Sequence, residues 1–293
     1  MTGGTGSFGK TFIKFLTQTQ EFSKIIVFSR DELKQWEMQQ EIKDDRVRYF
    51  LGDIRDKERL ERAFHDVDVV VHAAALKQVP ALEYNPIEAI KTNILGTQNI
   101  INASIDQKVS KVLMLSTDKA VNPANLYGAT KLCAEKLMVA SNAYSKKTYM
   151  MTGEENRPMF SVVRYGNVMS SRGSVIPLFK EQAKTGKLTV THKDMTRFWV
   201  SLDDAVKFVY NCLNRMQGGE IFIPKLPTKK IVDLAKEICP ECALDVIGIR
   251  PGEKIHEVLI SKDEARHAVE YDDSFVIDNS VESNLVEEYT SAD

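Results

Sequence analysis

Short continuous apolar runs alternate with amphipathic stretches through the first two-thirds of the chain. The runs at 24–28 (KIIVF), 47–51, 67–73, 112–115 and 160–164 show no alternation of apolar and polar positions. Such runs predict strands covered on both faces, as in a parallel sheet. Between them, Phe8, Phe12, Ile13, Phe15 and Leu16 mark one apolar helix face. A second helix is predicted over 86–107 and a third from residue 126. Strand, helix and strand in repetition predict an α/β fold with a doubly wound parallel sheet. After residue 170 the pattern loosens. Strands predicted at 188–191, 220–223 and 243–249 alternate with helices at 177–185, 201–215 and 228–238. This reads as a main domain over 1–170 and a smaller cap mainly over 171–278. An acidic tail over 279–293 has few apolar anchors and is expected to be mobile.

Composition narrows the class. The 293 residues carry a net charge of −2, which argues against a protein that lives on nucleic-acid phosphate contacts. Hydrophobic residues make up 43%, enough for a large core without a disulfide or metal staple. No apolar run reaches the roughly 18 residues that span a bilayer. The longest, 67–76, is interrupted by Asp68 and His72. No apolar segment marks the N-terminus as a signal, so the expected location is the cytoplasm, away from membranes. Cys133 and Cys212 fall in helical patterns and read as small core residues. Cys239 and Cys242 have CxxC spacing but no second metal half-site accompanies them. A structural turn is the favoured reading, and no metal site is expected. The five histidines show no metal spacing, and His72 and His256 read as structural.

Glycines at 3, 6 and 9, within TGGTGSFG, precede an amphipathic helix. Glycine lets the backbone turn tightly and approach a pyrophosphate, and the helix N-terminus favours negative charge. Gly3, Thr5, Gly6, Ser7, Phe8 and Gly9 are therefore candidate dinucleotide ligands. The next strand ends at Ser29, Arg30 and Asp31, with Lys34 one turn later. Two cations there favour the 2′-phosphate of NADP, while Asp31 leaves NAD open. Asp53 and Ile54 follow the strand at 47–51, where an Asp can meet the adenine amino group or cap a helix.

Ser116, Thr117, Asp118 and Lys119 end a buried run, and Tyr127 and Lys131 open a helix. Four residues apart, Tyr127 and Lys131 share one face. An ammonium beside a phenol favours phenolate, which can take a proton from an alcohol.

These segments resemble the extended short-chain dehydrogenase/reductase family. More closely, the chain is similar to the inverting UDP-N-acetylglucosamine 4,6-dehydratases that begin pseudaminic acid and related pathways. The resemblance runs from Thr2 to about Asp278. It is carried by FSRDELKQ (28–35), AAALKQVPALEYNP (73–86), STDKAVNPANLYGATK (116–131), RYGNVMSSRGSVIPLF (164–179), MTRFWVSLDDAV (195–206) and IRPGEKIHE (249–257). It implies a Rossmann domain over 1–170 and a substrate-binding cap. It implies that Tyr127 takes the C4 hydroxyl proton while NADP takes the hydride, with Thr117 on the same oxygen. Asp118 is then the acid at C6 and Lys119 the base at C5. Lys119 is expected to be neutral at that moment, through burial or cationic neighbours. Hydride return to C6 regenerates the cofactor, and reprotonation from the opposite face inverts C5. The resemblance also adds Ala73, Ala74, Lys77 and Asn93 to the cofactor residues. Lys77, Asn167, Arg172, Val175, Arg197, Arg250 and Glu253 are implied around the UDP-sugar, Arg250 on the diphosphate and Glu253 on the uridine ribose. Self-association into a homo-oligomer is a further implication.

A C4 epimerase would share Tyr127, Lys131 and the glycine loop but has no need of Asp118 and Lys119. A retaining dehydratase is the nearer rival, and a nucleotide sensor or inactive homologue on the same fold is the non-enzymatic one. The family pattern also places an apolar strand before the glycine loop, where this chain has only Met1. The expectation is a gap at the middle of the sheet, with unpaired backbone on both sides. The expectation is that about five to ten native residues precede Met1; the alternatives are that another segment or chain fills the gap, or that the protein is impaired.

Overall fold

In the computed structural model, residues 1–152, 158–169, 174–278 and 288–292 are described, with side chains at 145–152 left aside. The strands are β1 Ile25–Ser29, β2 Val47–Leu51, β3 Val69–His72, β4 Lys111–Thr117, β5 Met159–Tyr165, β6 Asn167–Val168, β7 Lys187–Val190 and β8 Thr196–Val200. They continue as β9 Ile221–Pro224, β10 Thr228–Lys230, β11 Ala243–Val246, β12 Val258–Ile260, β13 Ala268–Glu270, β14 Ser274–Ile277 and β15 Tyr289–Thr290. The helices are α1 Ser7–Thr17, α2 Glu32–Glu41, α3 Lys57–Phe64, α4 Val79–Tyr84, α5 Pro86–Ala89, α6 Gly96–Asp106, α7 Leu126–Thr152, α8 Val175–Ala183, α9 Leu202–Arg215, α10 Ile231–Ile238 and α11 Lys262–Ala265.

The main sheet runs β3–β4–β5–β9 in parallel and ends with antiparallel β14 and β13. β1 and β2 form a parallel pair on the far side of the N-terminus. In β4, Val112 and Met114 enter one core with α3, α6 and α7, while Leu113 and Leu115 enter the other with α1, α2 and α9. Both faces are thus covered, which is why the strands read as unbroken apolar runs. A third core, with Phe179, Trp199, Ile231 and Leu234, lies in the cap.

The expected central gap is bridged at its carboxyl end. Thr2 forms parallel bridges to both Phe28 and His72. Met1 carbonyl accepts from Phe28 N–H at 2.9 Å, and Thr2 N–H donates to Val71 carbonyl at 3.0 Å. Deeper along β1 and β3, Ile25, Ile26, Val69 and Val71 line a cavity of about 120 Å³.

Five sequence expectations are corrected or sharpened. The 171–278 segment is not one cap, because β9, β13 and β14 return to the main sheet and α9 packs on its core. Residues 228–230 are a strand antiparallel to β8, and the helix begins only at Ile231. Pairing with β8 outcompetes helix propensity there. The helix over 86–106 contains a π turn at Ile90–Leu95. The tail is anchored where it is described: β15 pairs with β12, and Ser291 is fully buried. Cys239 and Cys242 form a disulfide that closes the turn after α10.

Candidate active site

The first turn of the chain builds a cradle. Gly3 has φ of +67°, and a Cβ there would lie 2.8 Å from the Ala74 backbone nitrogen. Only glycine satisfies both conditions. The loop opens a cavity of about 540 Å³, lined by Gly3, Thr5, Gly6, Ser7, Phe8, Gly9, Lys34, Ala73, Lys77, Thr117, Lys119, Tyr127 and Lys131. A tight, side-chain-free turn aimed at a helix N-terminus fits the pyrophosphate of a dinucleotide.

Other expected cofactor residues lie beside this cavity rather than on its wall. Ser29 is buried, with Oγ accepting from Gln35 at 3.0 Å. Arg30 pairs with Asp53 at 3.5 Å, and Asp53 also binds Arg55 at 2.7 Å. Asp56, not Asp53, caps α3. Ile54 is buried in the core, and Asp31 caps α2 and pairs with Lys34. Asn93 uses its whole amide on protein: Leu76 N–H donates to Oδ1 at 2.8 Å, and Nδ2 donates to Leu76 carbonyl at 2.9 Å and Thr130 Oγ1 at 3.0 Å. The π turn aims it there, so it holds the loop after β3.

A second cavity, about 640 Å³, adjoins the first and shares Lys77, Lys119 and Asn167 with it. Val175, Arg197, Arg250 and Glu253 line it too. Arg172 lies outside the described residues. Arg197 is buried and donates to the carbonyls of Thr196, Lys254 and Ile255, which fixes the 254–257 segment against β8.

Where the two cavities meet, β4 ends in a short turn. Thr117 Oγ1 donates to Asp118 Oδ1 at 2.9 Å, and Lys119 Nζ donates to the same oxygen at 3.0 Å. Asp118 is fully buried and its Oδ2 has no partner among the described residues. A buried, unsatisfied acceptor is costly unless a ligand group completes it. Lys119 also lies 3.8 Å from Glu257. Burial pushes the Lys119 ammonium down, but Asp118 and Glu257 more than reverse this, and Arg197 opposes them only in part. The amine is therefore held above its ordinary value, against the expectation of a depressed one. Lys77, on the same cavity wall, is depressed instead, by burial and then by Lys119.

Tyr127 and Lys131 share the sheet-facing side of α7. Burial pushes the Tyr127 phenol up to about 12, while Lys119 and a hydrogen bond with Thr117 favour the phenolate. Lys119 is thus the cation acting on it most strongly. Lys131 Nζ donates to Leu115 carbonyl at 2.7 Å, and burial lowers it to about 8. Shared helix face alone put Lys131 in that role. The N-terminus of α7 packs on the reactive turn so closely that a Cβ at Gly128 would lie 2.0 Å from the Lys119 carbonyl oxygen.

Glu257, Lys254 and Asn125 were given no role from sequence. Lys254 donates to Val121 carbonyl at 2.6 Å, and Asn125 joins Gly128 N–H to Gly252 carbonyl. Glu257 and Lys254 sat inside the quoted 249–257 block, but their spacing resembles any exposed charged turn.

A parallel sheet with helices on both faces, and reactive side chains gathered at its carboxyl edge, is the architecture of the extended short-chain dehydrogenase/reductases. Among the described residues, no helix is long and apolar enough to cross a membrane, and no group of three or more His, Cys, Asp or Glu is placed to hold a metal ion. The chain belongs to the polysaccharide biosynthesis protein family, whose model matches residues 1–279. It is 53% identical over 285 residues to the UDP-N-acetylglucosamine 4,6-dehydratase (inverting) of Campylobacter jejuni subsp. jejuni serotype O:23/36 (strain 81-176), covering 96% of this chain and 82% of that protein. It is 42% identical over 285 residues to the UDP-glucose 4-epimerase of Rickettsia canadensis (strain McKiel), covering 94% and 81%. The X-ray structure of Pen from Bacillus thuringiensis matches with TM-score 0.91 and 40% identity, covering 99% of this chain and 91% of that one.

Proposed function

We propose that this protein is a UDP-N-acetylglucosamine 4,6-dehydratase that inverts C5 and uses NADP. The observation that carries this reading is the Asp118–Lys119 contact at 3.0 Å, with Lys119 on the same cavity wall as Tyr127. A 4-epimerase needs the phenol alone, whereas eliminating water needs an acid and a base side by side. The 53% identity to a C. jejuni protein of that activity supports the same choice.

Gly3, Gly6 and Gly9 would hold the pyrophosphate of a nicotinamide dinucleotide, which when bound would supply hydride acceptance from C4 and hydride return to C6. The chain supplies the protons. Tyr127 takes the proton from O4, with Thr117 holding the phenol. Lys119 and Asp118 then act as one unit. Passing a proton from the ammonium to the carboxylate, across 3.0 Å, gives a neutral amine and a neutral acid together. This resolves the raised basicity of Lys119 without an outside base. The amine takes the C5 proton, the C5–H electrons form the C5=C6 bond, and the C6–O bond breaks. Asp118 gives its proton to that oxygen, which leaves as water.

The cations Arg30 and Lys34 at the end of β1 support NADP. The exposed apolar side chains of Tyr84, Ile87 and Leu95 support self-association. The test is incubation with UDP-N-acetylglucosamine in heavy water, read by product NMR. The expected product is a 4-keto-6-deoxy sugar with deuterium at C5 in the L-configuration. Lys119→Ala should oxidise C4 but release no water, while Lys77→Ala should still dehydrate. A product with its 6-hydroxyl intact would overturn the reading, and a D-configured product would overturn the inversion.

A further inference from the structure

Glu257 is a nearly fully buried carboxylate with no part in the mechanism above. It lines the second cavity. Its Oε1 is 3.8 Å from the Lys119 ammonium. Its Oε2 lies 3.4 Å from Lys254 yet has no hydrogen-bond partner among the described residues. Burying a carboxylate in this way is unfavourable unless its charge is used.

The backbone around it is tightly held. Glu257 N–H donates to Ser291 Oγ at 2.8 Å, and Ser291 N–H donates to Glu257 carbonyl at 2.7 Å. Ser291 Oγ also meets Thr196 Oγ1 at 3.0 Å. The C-terminal strand β15 thus clamps Glu257 to β8. This fixes the backbone that carries the carboxylate to within 3.8 Å of the Lys119 ammonium.

Two carboxylates therefore share one ammonium, and the order of proton transfers separates their roles. When Lys119 takes the C5 proton, Asp118 still carries the proton it will give to the C6 oxygen. Asp118 is then neutral. The new ammonium faces Glu257 as its anionic partner, with Arg197, Lys77 and Tyr127 as the other titratable or charged groups around it. Lys254 is the cation that faces Glu257 itself. We propose that Glu257 is a positioning residue for the dehydration step, a fixed negative charge that makes the Lys119 amine a stronger base toward C5 while Asp118 is protonated. Measured from the neutral amine–acid pair, positive charge develops on Lys119 as it takes the C5 proton, and a carboxylate oriented beforehand toward it favours that transfer without reorganisation.

The inference rests on the dehydratase reading, and the experiment separates the two. Glu257→Gln keeps the shape and removes the charge. In single turnovers with UDP-N-acetylglucosamine, C4 oxidation, seen as reduced nicotinamide absorbance, should proceed as in the wild type. C5 proton removal should slow about 100-fold, the size seen when one preorganised electrostatic partner is lost. A C5-deuterated substrate should then show a larger isotope effect. Removing the negative charge lowers the basicity of Lys119, so the high-pH limb of the pH–rate profile, where the Lys119–Asp118 pair loses its one proton, should move to lower pH. Glu257→Asp keeps the charge and should hold that limb near its wild-type position, which also guards against a Gln variant that folds poorly. Three results would overturn the proposal: C5 removal in Glu257→Gln within about threefold of wild type, a pH limb that does not move, or C4 oxidation and C5 removal falling together. A wild type that forms no 4-keto-6-deoxy sugar would instead remove the dehydratase reading, and this proposal with it.

Discussion

Replacing Arg164 by Met tests how the reactive helix is held. Arg164 is fully buried at the end of β5. It donates to Glu135 at 3.2 and 2.6 Å, to Glu264 at 2.9 and 3.1 Å, and to Leu259 carbonyl at 2.8 Å. Glu135 follows Tyr127 and Lys131 at four-residue steps on the same face of α7. The Arg therefore ties the helix carrying the phenol to the sheet and to α11. Burial pushes the Glu264 carboxyl up, and Arg164 and Ser261 more than reverse this. Removing the guanidinium leaves two carboxylates with little water and no countercharge. Breaking such a buried cluster costs about 3–5 kcal/mol, set against a global stability of about 5–15 kcal/mol. Urea unfolding followed by tryptophan fluorescence should show that loss for Arg164→Met at pH 7. The deficit should shrink at pH 5, because without Arg164 burial raises the Glu264 carboxyl, which then takes up a proton in the folded state. The double variant Arg164→Met with Glu135→Leu should recover at least half of the loss. A single variant within about 1 kcal/mol of wild type, or a double variant no better than the single, would refute the reasoning.

Gly128→Ala should push α7 off the Lys119 carbonyl, from a starting approach of 2.0 Å; kcat is expected to fall about 100-fold, as for a displacement of roughly 1 Å at a reacting group, and unchanged kinetics would show that the turn can yield. Burial lowers His72 to about 3, with Lys131 adding to it. Its ordinary value is 6.5, so the unfolded chain binds the proton first as pH falls. Stability should therefore decline below pH 6.5 with a contribution of up to about 1.4 kcal/mol per unit until pH 3 is neared. His72→Leu should flatten that slope in acid unfolding curves, and an unchanged slope would assign it to other groups.

Much of the frame was legible in the sequence because it depends on near neighbours. A parallel strand buried on both faces must be apolar throughout, so β1, β4 and β5 announced themselves. The glycine loop was readable because steric room is a property of single residues, and Asp118–Lys119 because they are covalently adjacent. Boundaries failed where a distant strand competed for backbone hydrogen bonds, as at 228–230, which β8 draws into a ladder. The described end of the tail, 288–292, was misread for the same reason: Tyr289 donates to Leu226 carbonyl, a partner that no local pattern reveals.

The sequence by itself determined the layered α/β architecture, the glycine turn before α1 and the adjacency of Asp118 and Lys119, since periodicity, glycine and adjacency are local. Tertiary structure alone decided the charges that govern that pair. Lys131 shares a face with Tyr127, yet its ammonium is bound to the Leu115 carbonyl, and Lys119 acts more strongly on the phenol. Asn93 closes a loop and does not line the cavity. Glu257, set beside Lys119 by the folding back of the C-terminal strand, makes the amine more basic than burial alone would allow. Electrostatic interactions act through space and are strengthened by burial. Their outcome depends on which residues the fold brings within a few ångströms, not on their order along the chain.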